Sequence, residues 1–297
     1  MLLTPLKSSC EVSCFAQWVT ARKDLALLPS SLYSPELMLL KDRVAVITGS
    51  GRGIGRAIAR LFASEGASVF LTARTASELA STTAEINKSG QAAFVTADLT
   101  RAMECAQVVV AARRKFHHVD ILVNNAGHYG PVLPVEDYPL AEFDNVIAVH
   151  LRAAFLLSQL VLPDMYARGS GVILNISSLS AKSAFAWGSA YAAAKAGMLG
   201  LTRVTAAEAA RKGVRVNALC PGPVTETVMS KKLGEALAKK MGVRPKKQLL
   251  EGFLNTLLQG RAQTADEIAK AALFLCSDLS SAITGQSINV DGGAAFF

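Results

Sequence analysis

Tyr191 and Lys195 stand four residues apart in Ser189-Ala190-Tyr191-Ala192-Ala193-Ala194-Lys195, thirteen residues beyond Ser178. On an Ala-rich helix, positions i and i+4 lie one turn apart on the same face, so a phenol and an ammonium become neighbours. A free phenol titrates near ~10. A phenolate useful at neutral pH needs that value lowered by about three, or roughly 4 kcal/mol of preferential stabilisation of the anion. A fixed lysine charge and a positive nicotinamide would supply it. The chemistry that fits is proton transfer at a carbonyl or alcohol oxygen, coupled to hydride transfer at its carbon.

A second candidate site lies far upstream, in Thr48-Gly49-Ser50-Gly51-Arg52-Gly53-Ile54-Gly55. Gly49, Gly53 and Gly55 follow an apolar strand and open a helix, where small residues allow a tight turn and the first N–H groups face a phosphate. The spacing is Gly-x3-Gly-x-Gly rather than G-x-G-x-x-G. With 22 glycines in the chain chance matches are common, so the weight comes from the strand-turn-helix setting. At the end of the second strand, a fold that prefers NAD offers a carboxylate to the ribose 2′-OH. Here that place reads Thr72-Ala73-Arg74-Thr75. No acid is there to repel a 2′-phosphate, and Arg74 and Arg52 can approach one, so NADP is favoured over NAD.

The elements that must position these groups alternate throughout. Val44 to Ile47 reads as a buried strand, Ile54 to Ser64 as an apolar-faced helix, Ser68 to Thr72 as a strand, and Ser77 to Asn87 as a helix stopped by Gly90. A strand at Ala93–Thr96, a helix to Phe116 and a strand at Asp120–Val123 follow. Two long helices, about Leu140 to Arg168 and Ala190 to Lys212, flank a strand at Gly171–Ser177. Short strands at Val214–Leu219 and Ser287–Val290 complete the set. Repeated β-helix-β crossovers, right-handed by rule, imply a single α/β domain: a doubly wound parallel sheet of about seven strands, helices on both faces, and a ligand site beyond the carboxyl ends of the strands.

The 297 residues, 51% apolar, suffice for one such domain. Lys and Arg outnumber Asp and Glu by 31 to 23, which suits an anionic substrate or an acidic carrier. No basic stripe with interleaved aromatics accompanies the excess, which argues against a nucleic-acid partner. The excess is densest from Lys231 to Lys247, and the simplest reading there is a solvated helix face. Cys10, Cys14, Cys105, Cys220 and Cys276 are scattered, with no CxxC pair and no histidine at zinc-ligand spacing, which fits a reducing, cytoplasmic setting and no metal. The apolar run Val146–Leu162 is interrupted by His150, Arg152, Ser158 and Gln159, so no membrane span is expected. Residues 1–37 lack a sustained period and carry Pro5, Pro29 and Pro35. We read them as a dispensable N-terminal extension or a mis-assigned start before a domain over 38–297.

Thr48-Gly49-x3-Gly53-x-Gly55, Asn124-Asn125-Ala126-Gly127, Ser178, Tyr191-x3-Lys195 and Pro221-Gly222 occur in one order, and with them the chain resembles the short-chain dehydrogenase/reductase superfamily from about residue 41 to 293. The resemblance implies an NAD(P)(H)-dependent oxidoreductase Rossmann fold. Tyr191 becomes the acid in reduction and the base in oxidation; Lys195 lowers the phenol pKa and binds the nicotinamide ribose; Ser178 hydrogen-bonds the substrate oxygen. Asp98 and Leu99 match adenine-contacting positions. Asn125, Ala126 and Gly127 border the cofactor, and Pro221, Gly222 and Val224 lie against the nicotinamide carboxamide. Thr225 and Thr227 straddle the place of a Thr that holds that amide. A homotetramer is implied, with the two long helices at subunit contacts. One departure is His150 in Val149-His150-Leu151, where the family commonly has an Asn serving a water relay to the lysine. An imidazole can pass protons too, or sit as a satisfied helix histidine.

The substrate is less legible. Phe185, Trp187, His128 and Tyr129 either line an apolar pocket or pack beneath a lid. The segment 225–260 is longer than a connector and reads as a helical lid. It is similar to the hydroxybutyrate dehydrogenase branch, whose carboxylate-binding His and Gln are not evident here. Lys182 could hold a carboxylate, and a 3-oxoacyl carrier-protein reductase fits the basic surface equally well. Three readings stay open: an NADPH-dependent carbonyl or 3-oxoacyl reductase, a dehydrogenase of a small hydroxy acid or sugar, and a catalytically impaired dinucleotide sensor.

Overall fold

The five inner strands are short apolar segments, because a strand covered by helices on both faces needs no polar alternation, whereas the two edge strands stay partly exposed. In the computed structural model, which describes residues 38–243 and 251–296, the strands are β1 Val44–Thr48, β2 Ser68–Ala73, β3 Gln91–Thr96, β4 Ile121–Asn124, β5 Gly171–Ile176, β6 Val214–Pro221 and β7 Ser287–Val290. They line up as β3-β2-β1-β4-β5-β6-β7, every neighbouring pair parallel. The doubly wound sheet expected from the sequence is therefore present. Its winding reverses between β1 and β4, which pair directly through Ala45–Ile121 and Ile47–Val123. A crevice opens at such a reversal beyond the strand ends.

The helices are α1 Gly53–Ser64, α2 Ala76–Ile86, α3 Ala102–Phe116, α4 Leu140–Arg168, α5 Ser189–Ala209, α6 Val228–Met241 and α7 Ala265–Cys276. On one face of the sheet, Ile58 and Phe62 of α1 and Ile268 and Leu273 of α7 pack with Ala45, Ile47, Ile121 and Val123. On the other, Val108 of α3, Leu157, Val161 and Met165 of α4 and Ala206 of α5 pack with Val46, Leu122 and Ile173. An 18-residue window of α4 has mean hydropathy 1.7, enough by length and composition for a membrane span. Its buried side chains cover the sheet as a core helix does, with His150 among them.

The strands and the helices through Lys212 match the sequence reading within a few residues. Helix α7 is an addition to it, although Thr264 and Glu267 form a reciprocal capping box ahead of its apolar face. The expected N-terminal extension, and residues 244–250 of the expected lid, lie outside the described residues.

Candidate active site

Helix α5 carries Tyr191 and Lys195 because its inward stripe, Ala190, Tyr191, Ala194, Lys195, Met198 and Thr202, repeats every three or four residues. A buried polar chain fixes that helix to the sheet. Asn124 Nδ2 donates to Asn175 Oδ1 at 2.9 Å, Asn175 Nδ2 donates to Thr202 Oγ1 at 2.9 Å, and Ser177 Oγ donates to the Lys195 carbonyl at 2.9 Å. Asn175, Ser177 and Thr202 are not among the sequence-derived site residues; they meet only once β4, β5 and α5 are side by side.

Tyr191 and Lys195 are both buried. Ser178, just beyond β5, accepts from Ser180 N at 3.1 Å and presents its hydroxyl to the Tyr191 phenol. Burial dominates and pushes Tyr191 up to about 12, with the Ser178 hydrogen bond acting in the opposite direction. The Lys195 ammonium lies 5.6 Å from the centre of the tyrosine ring and donates instead to the Ile176 carbonyl at 2.6 Å. Burial likewise pushes Lys195 down to about 7. The phenol is a proton donor at neutral pH, and a base only once further positive charge is brought beside it.

His150 sits in a π-helical turn, Ala148–Arg152, within α4. Such a turn inserts a residue and re-aims its side chains, frequently at functional sites. The imidazole is 2% exposed and meets the Tyr191 ring edge-on, centroids 5.3 Å apart. Its Nε2 lies 2.8 Å from the His128 carbonyl, and its Nδ1 has no hydrogen-bond partner among the described residues. A Cβ on Gly127 would collide with this ring, so the glycine makes the room. Burial and the Lys195 charge hold His150 well below the ordinary histidine pKa, which leaves it neutral.

The glycine turn fits a dinucleotide on two counts. A Cβ on Gly55 would strike the Gly49 carbonyl, so helix and turn approach as closely as backbone allows. The N-terminus of α1 has no side-chain cap and no acid in its first turn, leaving its N–H groups for an anion. Gly49, Arg52, Gly53, Ile54, Gly55, Arg74, Asn125, Gly127, His150, Ser178, Tyr191, Lys195, Pro221, Gly222 and Val224 all border one cleft of about 780 Å³. Asp98, Leu99 and Ala126 line a small adjoining cavity of about 60 Å³ that also touches Arg74, Gly127 and His128. Ser50 borders neither: it is fully buried, and its Oγ accepts from Thr72 N at 3.0 Å, so it builds the turn. Asn125 braces the same turn, donating from Nδ2 to the Thr48 carbonyl at 2.8 Å.

Other expectations sort out by position. Thr227 borders the cleft and caps α6 through Ser230 N. Lys182 Nζ donates to the Ser287 carbonyl at 3.0 Å and to Asn289 Oδ1 at 2.8 Å, so it is committed to β7. Phe185 packs edge-on against Phe253 at 6.1 Å, whereas His128 and Tyr129 border the cleft. Arg52 pairs with Glu78 at 3.0 Å, a partner not apparent from spacing alone. Gln263, 4% exposed, occupies the space left by Gly222 and Gly292 and so braces the Pro221–Val224 turn.

A family model described as enoyl-(acyl carrier protein) reductase matches residues 48–295. The chain belongs to the short-chain dehydrogenase/reductase superfamily. It is 38% identical over 258 residues to a D-beta-hydroxybutyrate dehydrogenase of Cupriavidus necator, covering 86% of this chain and 98% of that one. Among solved structures, an actinorhodin polyketide ketoreductase with NADPH superposes at TM-score 0.82 with 32% identity, over 86% of this chain and 98% of its own. An NAD+-bound xylitol dehydrogenase superposes at TM-score 0.81 with 28% identity, over 86% and 99%. As a member of this superfamily, the protein is an NAD(P)-dependent oxidoreductase acting on carbonyl and alcohol groups.

Proposed function

We propose that this enzyme works as an NADPH-dependent reductase of a ketone or 3-oxoacyl group, with Tyr191 as proton donor. The observation that carries the direction is Arg74, just past β2 where an NAD-preferring site offers an acid, because it favours NADPH, a hydride donor. Tyr191, buried and with its pKa raised, is protonated at neutral pH and so can give a proton to the developing alkoxide. A nicotinamide bound in the cleft supplies the hydride. Tyr191 Oη gives its proton to the substrate oxygen, Ser178 donates a second hydrogen bond to that oxygen, and Lys195 holds the ribose and replenishes the proton. His150 is the relay partner behind Lys195.

NADPH is favoured over NADH because β2 runs into Arg74 with no acid following it, and Arg74 borders both cavities. Arg52 is shared with Glu78, so Arg74 carries most of that preference. The exposed Lys231, Lys232, Lys239 and Lys240 on α6 suit a substrate with a distal anion or an acidic carrier, and α6 is the described part of the lid. Exposed Phe155 and Val204 on α4 and α5 support a homotetramer built on those helices. The free, buried Cys105, Cys220 and Cys276 support a reducing cytoplasmic setting. Catalysis resides in the single domain from about residue 38 onward.

A second reading, oxidation of a small hydroxy acid, is favoured by the 38% identity to a hydroxybutyrate dehydrogenase. A dinucleotide sensor is suggested only by His150. Fluorescence titration with NADPH and NADH, then a panel of 3-oxoacyl thioesters, keto acids, sugars and aromatic ketones, separates the three. Tight NADPH binding with turnover of one carbonyl class supports the reductase. Hydroxy-acid oxidation with NAD+ supports the second reading, and binding without any turnover the sensor.

A further inference from the structure

An aromatic side chain builds the wall of the cleft beside Tyr191. Tyr129, on the loop after β4, stacks on Tyr191 with ring centroids 4.8 Å apart and planes 29° apart. A Cβ on Gly188, just before α5, would collide with the Tyr129 hydroxyl, so the missing side chain is what lets the two rings lie together. Pro131 and Val132 continue this wall, and Met229, Leu233 and Ala236 face the same cleft from α6 at helical spacing.

The cations bordering the cleft stand away from this wall or are already engaged. Arg52 pairs with Glu78, and Arg74 lies on the adenine side near Asp98. Lys195 donates to Ile176, and Lys232 on α6 and Glu142 on α4 are both exposed where they border the cleft. A carboxylate one or two carbons from the reacting carbonyl would be desolvated against Tyr129 with no cationic side chain among the described residues committed to it, an arrangement that buried charges strongly disfavour.

We infer that the enzyme selects uncharged carbonyl compounds whose reacting carbon is flanked by apolar groups, and that Tyr129, seated by Gly188, is the residue that sets this selectivity. The inference rests on the reductase reading above and narrows its substrate class. An anionic group is accommodated only at the far end of the substrate, near Lys232.

The matched pair ethyl 3-oxobutanoate and 3-oxobutanoate, which differ in charge and not in the reacting carbon, tests it with NADPH as the reductant. The wild-type enzyme is expected to show kcat/KM for the ester at least about 100-fold above that for the acid. In Tyr129→Ala, water reaches the carboxylate, and the ratio falls by about tenfold or more, while the NADPH dissociation constant by fluorescence stays the same. Tyr129→Phe keeps the stack and the wild-type ratio. Gly188→Ala displaces the Tyr129 hydroxyl and moves the ratio in the direction of Tyr129→Ala. Equal or better use of the acid by the wild-type enzyme overturns the inference and leaves the reductase reading standing. An unchanged ratio in Tyr129→Ala, with NADPH binding intact, removes Tyr129 as the determinant. Failure of every ketone in the panel to oxidise NADPH defeats the reductase reading itself, and this inference with it.

Discussion

The buried Lys195 carries a desolvation cost at neutral pH that is measurable. It is 3% exposed, and burial moves its pKa from 10.5 to about 7, which corresponds to roughly 5 kcal/mol of disfavoured charging. The folded-state pKa is depressed, so between about 7 and 10.5 the unfolded chain binds the extra proton and the folded chain does not. Stability therefore rises with pH through that window, and this contribution is flat below it. Lys195→Met removes the titrating group with little change in volume, and leaves the Ile176 carbonyl without its donor, a loss of about 1–3 kcal/mol. At pH 7 the variant should be more stable than wild type by about 2 kcal/mol. From pH 7 to 9.5 the wild-type protein should gain about 3 kcal/mol on the variant, so that the advantage disappears. Tyr191, with its raised pKa, acts in the other direction only above about 10, where the unfolded phenol ionises first. Denaturant unfolding of both proteins at fixed protein concentration and ionic strength, in steps from pH 7 to 9.5, gives the difference directly. Parallel curves for wild type and variant would refute the assignment of a desolvated amine with a depressed pKa at this position.

Three further outcomes follow from the site. Tyr191→Phe should lower kcat by about 10²–10⁴-fold and leave NADPH affinity nearly unchanged, since the proton donor is lost and the cofactor cradle is not; a fall in binding to match would point to misfolding of α5. Arg74→Ser should weaken NADPH about ten- to 100-fold with NADH unaffected, because one charge-assisted contact to the 2′-phosphate is removed; equal loss for both nucleotides would reassign Arg74 to adenine packing. His150 stays neutral well below the ordinary histidine range, so any inflection near pH 7 in kcat/KM belongs to Lys195 and should persist in His150→Asn; its disappearance in that variant would show that the imidazole titrates.

The inner strands of the sheet were legible because parallel strands buried on both faces read as short unbroken apolar runs, and the pair Tyr191 and Lys195 because four residues is one helical turn. What escaped has a common physical origin. Asn124, Asn175 and Thr202 are separated by 51 and 27 residues, and no local spacing marks them as one hydrogen-bonded chain. Tyr129 and Gly188 become partners only when the loop after β4 lies over the start of α5. The i, i+4 relation likewise places an ammonium near Tyr191, whereas the burial that raises the phenol pKa is a property of the whole fold and shows in no local spacing. Helix α7 is different, for its capping box at Thr264 and Glu267 was a local signal in plain view.

The exchange of Asn for His at position 150 is less drastic than the change of residue suggests. A carboxamide offers one acceptor and a donor group, and a neutral imidazole likewise offers one of each. Nε2 lies 2.8 Å from the His128 carbonyl and 3.1 Å from the His128 N–H, and Nδ1 has no partner among the described residues, so the tautomer decides whether Nδ1 offers a donor or an acceptor. A protonated ring would present two donors and repel the Lys195 ammonium, which would end any relay through this position. The burial that holds His150 neutral is thus what makes it an acceptable substitute, and the room for its larger ring comes from Gly127. An intact Ser178, Tyr191 and Lys195 beside a neutral imidazole with hydrogen-bonding capacity like that of a carboxamide argue for turnover and against a sensor that has lost it.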